Sequence, residues 1–370
     1  MSKLTDLLRN NRIYVYLFIF VALINLLVFA GWMAERHGKA GQAEMTSGEV
    51  RPASEQAAAE QAEPAGTTLF NDDDVKARQA KLEELASEKP LLYLFIGLFN
   101  LTILFFILLG VILDVYLIIR LIRRDPVRIR ITGREEPRWV IGDIFRVVLI
   151  FLSFGYAFVI AQSFAARQLP ILYNENFRMV FNTAMMNIVG IGVILYFVLK
   201  KYGQDLNAIG LTFKKIPRGI FYAAAGYIAI IPVIIGIMIA TYYAAKLFEY
   251  RPPVQPIVEV FMEEKETSVL LLSAVFAAVF GPFAEEVFFR GFMYPAIRKK
   301  IGVFGGMLVT SAVFSFLHTH LVGFLPILVL GMLLAYLYEK TGSLLPSIFV
   351  HITHNLGMVA LVFLMRYVGT

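Results

Sequence analysis

The sequence predicts an all-α, polytopic membrane bundle of about eight or nine spanning helices with its amino terminus on the cytoplasmic side. Three observations predict it. The 370 residues are 58% hydrophobic and only 17% charged, with a mean hydropathy of +0.68, more apolar side chain than a soluble domain can hide. The apolar residues fall in runs of about twenty or more, each long enough to cross a hydrocarbon core of roughly 30 Å. The basic residues that give the net charge of +6 gather at the ends of those runs. That placement sets topology and meets anionic lipid, so nucleic acid is not an expected partner. The chain has no cysteine, which excludes thiol catalysis, disulfides and thiolate metal sites.

Residues 13–32 form an uncharged run behind Arg9 and Arg12 and read as a signal anchor. Val28-Phe29-Ala30 would pass as a cleavage site, but the run is longer than the apolar core of a cleaved signal peptide. Residues 33–90 change in kind, to Ala, Glu, Gln, Gly and charge, and read as a long extracytoplasmic loop, partly disordered between 38 and 68. Asn71-Asp72-Asp73-Asp74 could suggest a calcium loop; followed by the Ala- and Lys-rich run 75–87, it fits a helix cap better. Residues 91–119 form the second span. The cluster after it, Arg120, Arg123, Arg124, Arg128, Arg130, Arg134 and Arg138, is the densest positive stretch in the chain and marks a cytoplasmic linker over 120–138. Residues 1–138 thus make a two-span amino-terminal region, and 139–370 a helical membrane core.

Within the core, 139–164, 179–199 and 219–248 are the next spans, with Lys200, Lys201, Lys214, Lys215 and Arg218 on the inner side. Asp143 and Arg146 near an inner end are explained by i, i+3 pairing and snorkelling. Four further apolar runs follow, at 268–294, 303–320, 321–338 and 345–367. No internal repeat is visible, which argues against a transporter built from two related halves.

The last runs hold what does not belong in a bilayer. Residues 281–291 contain Glu285, Glu286 and Arg290, each costing about 2.5–3.5 kcal/mol at a membrane helix centre, so these face a protein interior or a wet cavity and mark a function. Glu286 and Arg290 are i, i+4 with the acid first, so they can satisfy one another. Glu285 points about 100° away and is the carboxylate left to move protons or hold water. The bland alternative, a salt-bridge knot of all three, leaves one acid over.

Four of the five histidines also lie here: His318, His320, His351 and His354. Phe314 and His318 are i, i+4, so the ring can pack under the imidazole. At 1.5 Å per residue, Glu285 lies about 20 Å from the inner end at Arg298, and His318 about 22 Å from the inner end near Val303. The two are therefore at one level. His320, next to the outer turn, reads as solvated or capping. His351 and Asn355 share a face, but counted from Pro346 they lie several ångströms shallower than Glu285, a mismatch that a tilted or broken helix would remove. His351 with His354 could be a metal pair; no H-E-x-x-H occurs.

Glu285-Glu286-x-x-x-Arg290, Phe314-x-x-x-His318 and His351-x-x-x-Asn355, in this order on successive membrane helices, resemble the three motifs of the CPBP family. That family includes the CAAX prenyl endopeptidases of the Rce1 type and the bacterial Abi-type immunity proteins. Ile209-Gly210-Leu211 ahead of a span also resembles the family's approach to its core. The motif region covers about 270–364. The resemblance implies an intramembrane endopeptidase in which Glu285 deprotonates the attacking water with help from His318. Glu286 and Arg290 would then support the site, and His351 and Asn355 stabilise the oxyanion. It implies a membrane-associated or lipidated peptide substrate and a place in a bacterial inner membrane. Glu285, His318 and His351 would suit a divalent metal such as zinc if one is used, and no cofactor is obligatory. A non-proteolytic Abi-type scaffold and an ion-coupled transporter are the alternatives. His354 lies outside the motifs.

Overall fold

In the computed structural model, residues 11–46, 80, 83–84, 86–124, 136–165, 168–213, 216–250, 252–253, 255–318 and 321–369 are described. Most of the loop expected over 33–90, the cap at 71–74, Arg128, Arg130, Arg134, Lys214, Lys215 and His320 lie outside the described residues. Two units are distinguished, Met1–Phe95 and Ile96–Thr370. In the first, helix α1 (Arg12–Thr46) begins where the first span was expected and continues past its expected end at Trp32. Helix α2 (Pro90–Ile122) leads into the second unit.

The second unit contains α3 (Ile141–Ala165), α4 (Glu175–Leu195), α5 (Ile216–Leu247) and a short α6 (Pro256–Glu263). After these come α7 (Thr267–Val275), α8 (Gly281–Glu286), α9 (Tyr294–Leu317), α10 (Leu321–Thr341) and α11 (Leu345–Gly369). Eight helical runs among the described residues are long and apolar enough to cross a membrane, so the chain is an integral membrane protein. The longest of them, Thr267–Leu317, is two crossings rather than one. Gly302 has φ 77° and ψ 179°, an extended left-hand geometry that a helix cannot contain. Beyond this break the chain doubles back, since a Cβ on Gly306 would lie 3.0 Å from the Arg298 Cα. The turn thus falls between the runs that hydropathy separates at 294 and 303.

Two π-helical turns flank α8, Phe276–Phe280 before it and Val287–Met293 after it, and another, Tyr196–Lys201, ends α4. Each inserts one residue into a helical turn, a feature that recurs at functional sites. Side chains from elsewhere hold the two that flank α8. Asn355 on α11 donates to the Ala277 carbonyl (2.9 Å) in the first. The fully buried Trp139 donates its indole N–H to the Phe292 carbonyl (2.7 Å) in the second and stacks on the Phe292 ring, centroids 5.3 Å apart. Without water to turn to, such bonds and close packing are what hold membrane helices together.

The inner side is built from polar anchors. Asp143, buried near the start of α3, accepts from Arg146 (2.7 Å), Lys201 (2.6 Å), the Val140 N–H (3.1 Å) and the Tyr202 hydroxyl. It is therefore held by far more than the i, i+3 pair. Glu339 of α10 takes Arg298 (3.1 Å) and the Tyr294 hydroxyl (2.9 Å), tying α10 to α9. Gly210, at φ 79°, accepts the Leu344 N–H through its carbonyl (2.8 Å), and Ile209 and Leu344 both pack on Gly291. The start of α11 is fixed by that contact.

Candidate active site

Glu286 and Arg290 pair as their spacing predicts. Both are buried, with Arg290 Nη1 2.7 Å from Glu286 Oε1. The guanidinium also reaches the Gly331 carbonyl on α10 (3.3 Å) and lies over the Phe314 ring, 4.5 Å from its centroid. Gly331 is what allows this, since a Cβ there would press at 3.0 Å on Ser311 of α9.

His351 completes the arrangement. Its Nδ1 lies 2.9 Å from Glu286 Oε1. A carboxylate oxygen that already accepts from Arg290 can only accept again, so Nδ1 carries the proton and Nε2 faces the other way. Nε2 lies 3.6 Å from Glu285 Oε2. His318 is oriented by the same logic, because its Nδ1 lies 2.8 Å from the Phe314 carbonyl, which has nothing to donate. The His318 Nε2 is 3.9 Å from the same Glu285 oxygen. Phe314 packs under both imidazoles, with centroids 4.5 Å from His318 and 5.6 Å from His351.

Two imidazole nitrogens thus converge on one carboxylate oxygen, at separations too long for direct hydrogen bonds. That oxygen is buried and has no hydrogen-bond partner in the protein. The Glu285 and His318 side chains are 32% and 34% exposed, whereas Glu286, Arg290 and His351 are buried. Among the described residues no three His, Asp or Glu side chains are grouped as they stand to hold a metal ion.

His351 is level with the two glutamates, and the mismatch found by counting from Pro346 has a physical origin. Helix α11 begins beside Gly291, inside the bundle, and not at the boundary marked by Arg298. Glu285 is six residues before Gly291 and His351 seven after Leu344, about 9 and 10.5 Å at α-helical rise. Asn355 is brought to Ala277 rather than to the Glu285 oxygen. His354 turns away from this constellation to the Tyr227 hydroxyl of α5 (3.2 Å). Trp139 was not singled out from the sequence, although one of only two tryptophans standing at the inner end of a span was a signal. The exposed acceptor at Ala277 was also foreshadowed, by Pro282 inside an apolar helical run.

Comparison with known proteins adds an independent observation. Residues 267–357 match the family model of Type II CAAX prenyl endopeptidase Rce1-like proteins. A Bacillus subtilis (strain 168) protein named "Putative membrane peptidase YdiL" is 30% identical over 88 residues. That alignment covers 24% of this chain and 36% of the relative, about a third of its length. No solved structure matches the chain. Residues 267–357, which carry all three motifs, are an Rce1-like region.

Proposed function

We propose that the protein is an intramembrane endopeptidase that hydrolyses a peptide bond of a membrane-associated or lipidated substrate with a glutamate-activated water. The observation that carries this reading is the single Glu285 oxygen faced by two imidazole Nε2 atoms, each with its Nδ1 committed elsewhere. A water held there gives up a proton to Glu285 as it attacks the scissile carbonyl, and His318 Nε2 shares and relays that proton. Glu286 supports a positive charge on His351 through Nδ1, so the protonated His351 can present its Nε2–H to the developing oxyanion. The proton collected by Glu285 then passes to the leaving amine. Arg290, paired with Glu286 and backed by Phe314, fixes the group that fixes His351. The relative's printed name, a membrane peptidase, agrees with this chemistry. A bacterial inner membrane as the place of action follows from that relative's source and from the positive-inside arrangement.

Terminal proteomics on membranes holding the wild type or Glu285→Gln tests the reading. New peptide termini should appear with the wild type and fall by about 10²–10⁴-fold with the variant, at equal protein abundance. Identical termini from both would end the proteolytic reading and leave a binding scaffold in its place.

A further inference from the structure

Asn355 stands one turn beyond His351 on α11, and the family resemblance aims its amide at the substrate. In the structure that amide is engaged within the protein, donating from Nδ2 to the Ala277 carbonyl at 2.9 Å. The acceptor has no partner in its own helix. An α-helical turn would give it the N–H four residues on, Gly281, and a π-turn the N–H five residues on, at position 282. The Gly281 N–H is already given to the Phe276 carbonyl. Residue 282 is proline and has no N–H to give. The π-turn and the proline together expose a carbonyl at bilayer depth, where water does not serve it.

We propose that Asn355 is a positioning residue. By occupying the Ala277 carbonyl it holds the π-turn open and so sets the direction in which Glu285 faces His318 and His351. Were the turn to rewind, the Gly281 N–H would move to Ala277, and the helix beyond would rotate by about 100°, carrying Glu285 away from both imidazoles. Pro282 and Asn355 therefore form one device, in which the first creates a vacancy that the second fills. This role lies in the resting protein and does not depend on the reaction that Glu285 performs.

The test uses the full chain in lipid nanodiscs with 15N-labelled histidine, reading the His318 and His351 ring resonances without substrate. Asn355→Ala should displace both sets of resonances. Adding Pro282→Ala supplies an N–H at the position five residues beyond Ala277, and the double variant should return them toward the wild type. Unchanged resonances in Asn355→Ala would show a group that acts only on the transition state and would overturn the proposal. So would a double variant as displaced as the single one. Should Asn355→Ala fail to accumulate in the membrane, recovery of accumulation by Pro282→Ala supports the proposal and its absence overturns it. No cleavage is measured, so the result stands apart from the proteomic test of proteolysis.

Discussion

Glu285 and Glu286 are adjacent in sequence and opposite in physical situation. Glu286 is buried and shared by Arg290 and His351, whereas Glu285 is partly exposed and keeps an unpaired oxygen. Neutralising each should separate stability from activity. Glu286→Gln leaves a guanidinium buried without its charge partner, a loss of about 3–5 kcal/mol. Thermal unfolding in detergent should show a marked drop in Tm for Glu286→Gln and little change for Glu285→Gln, with cleavage lost in both. The Glu286–Arg290 pair and the ring beneath His318 were legible from i, i+4 spacing alone, because such neighbours touch whatever surrounds them. The approach of His351 was not, since it depends on where α11 begins, and that is decided by Gly210 and Gly291 far away in the chain.

The decisive features of the elements are interruptions. The Gly302 break falls between the two crossings that hydropathy separates, and Gly210 makes the turn that receives Leu344. Alanine at each should cost differently. At Gly302 nothing lies within 4 Å of a new Cβ, so only the backbone penalty of its extended, positive-φ conformation applies, about 1–3 kcal/mol. At Gly210 the Cβ would come 2.5 Å from the Tyr338 ring, so Gly210→Ala should lower Tm further than Gly302→Ala and displace the start of α11. Equal Tm losses for the two would contradict the close packing at Gly210. The helices, their order and most of their ends could be read from apolar runs and basic flanks, as the matches at 268–294 and 303–320 show. The π-turns could not, because one surplus residue leaves hydropathy unchanged.

At the scale of the molecule, the last helix joins the two membrane faces. Near one end α11 carries His351 beside the glutamates, and near the other Arg366 reaches back to cap α6 through the carbonyls of Phe261 (2.8 Å) and Glu264 (2.7 Å). The buried Glu264 carboxylate accepts from the N–H groups of Lys265 and Glu266 and from the amides of Asn176 and, more distantly, Asn174. These bonds, with the Glu266 N–H foremost, hold its pKa below the ordinary glutamate value. A folded pKa lower than the unfolded one stabilises fully above the unfolded value and is lost as pH falls through the folded value. Acidification below the usual glutamate range should therefore lower the Tm of the wild type more than that of Glu264→Gln. Parallel Tm profiles for the two proteins would show that Glu264 does not report the outer contacts.

The π-turns give the motif helix a phase that substitutions alone cannot reveal. Removing one residue from 287–293 would convert the turn to ordinary α-helix and keep nearly every backbone bond. Because the π-turn absorbs its surplus residue, Gly291 and all that follows would keep their direction relative to Glu285, whereas the same turn rewound with every residue retained would rotate them by about 100°. The chain would remain apolar, helical and long enough to span, with every charged residue of the motifs still in place. Residue number, as distinct from residue identity, is thus a functional quantity in this helix, and a relative one residue shorter here keeps the same site only if the π-turn is lost with the residue.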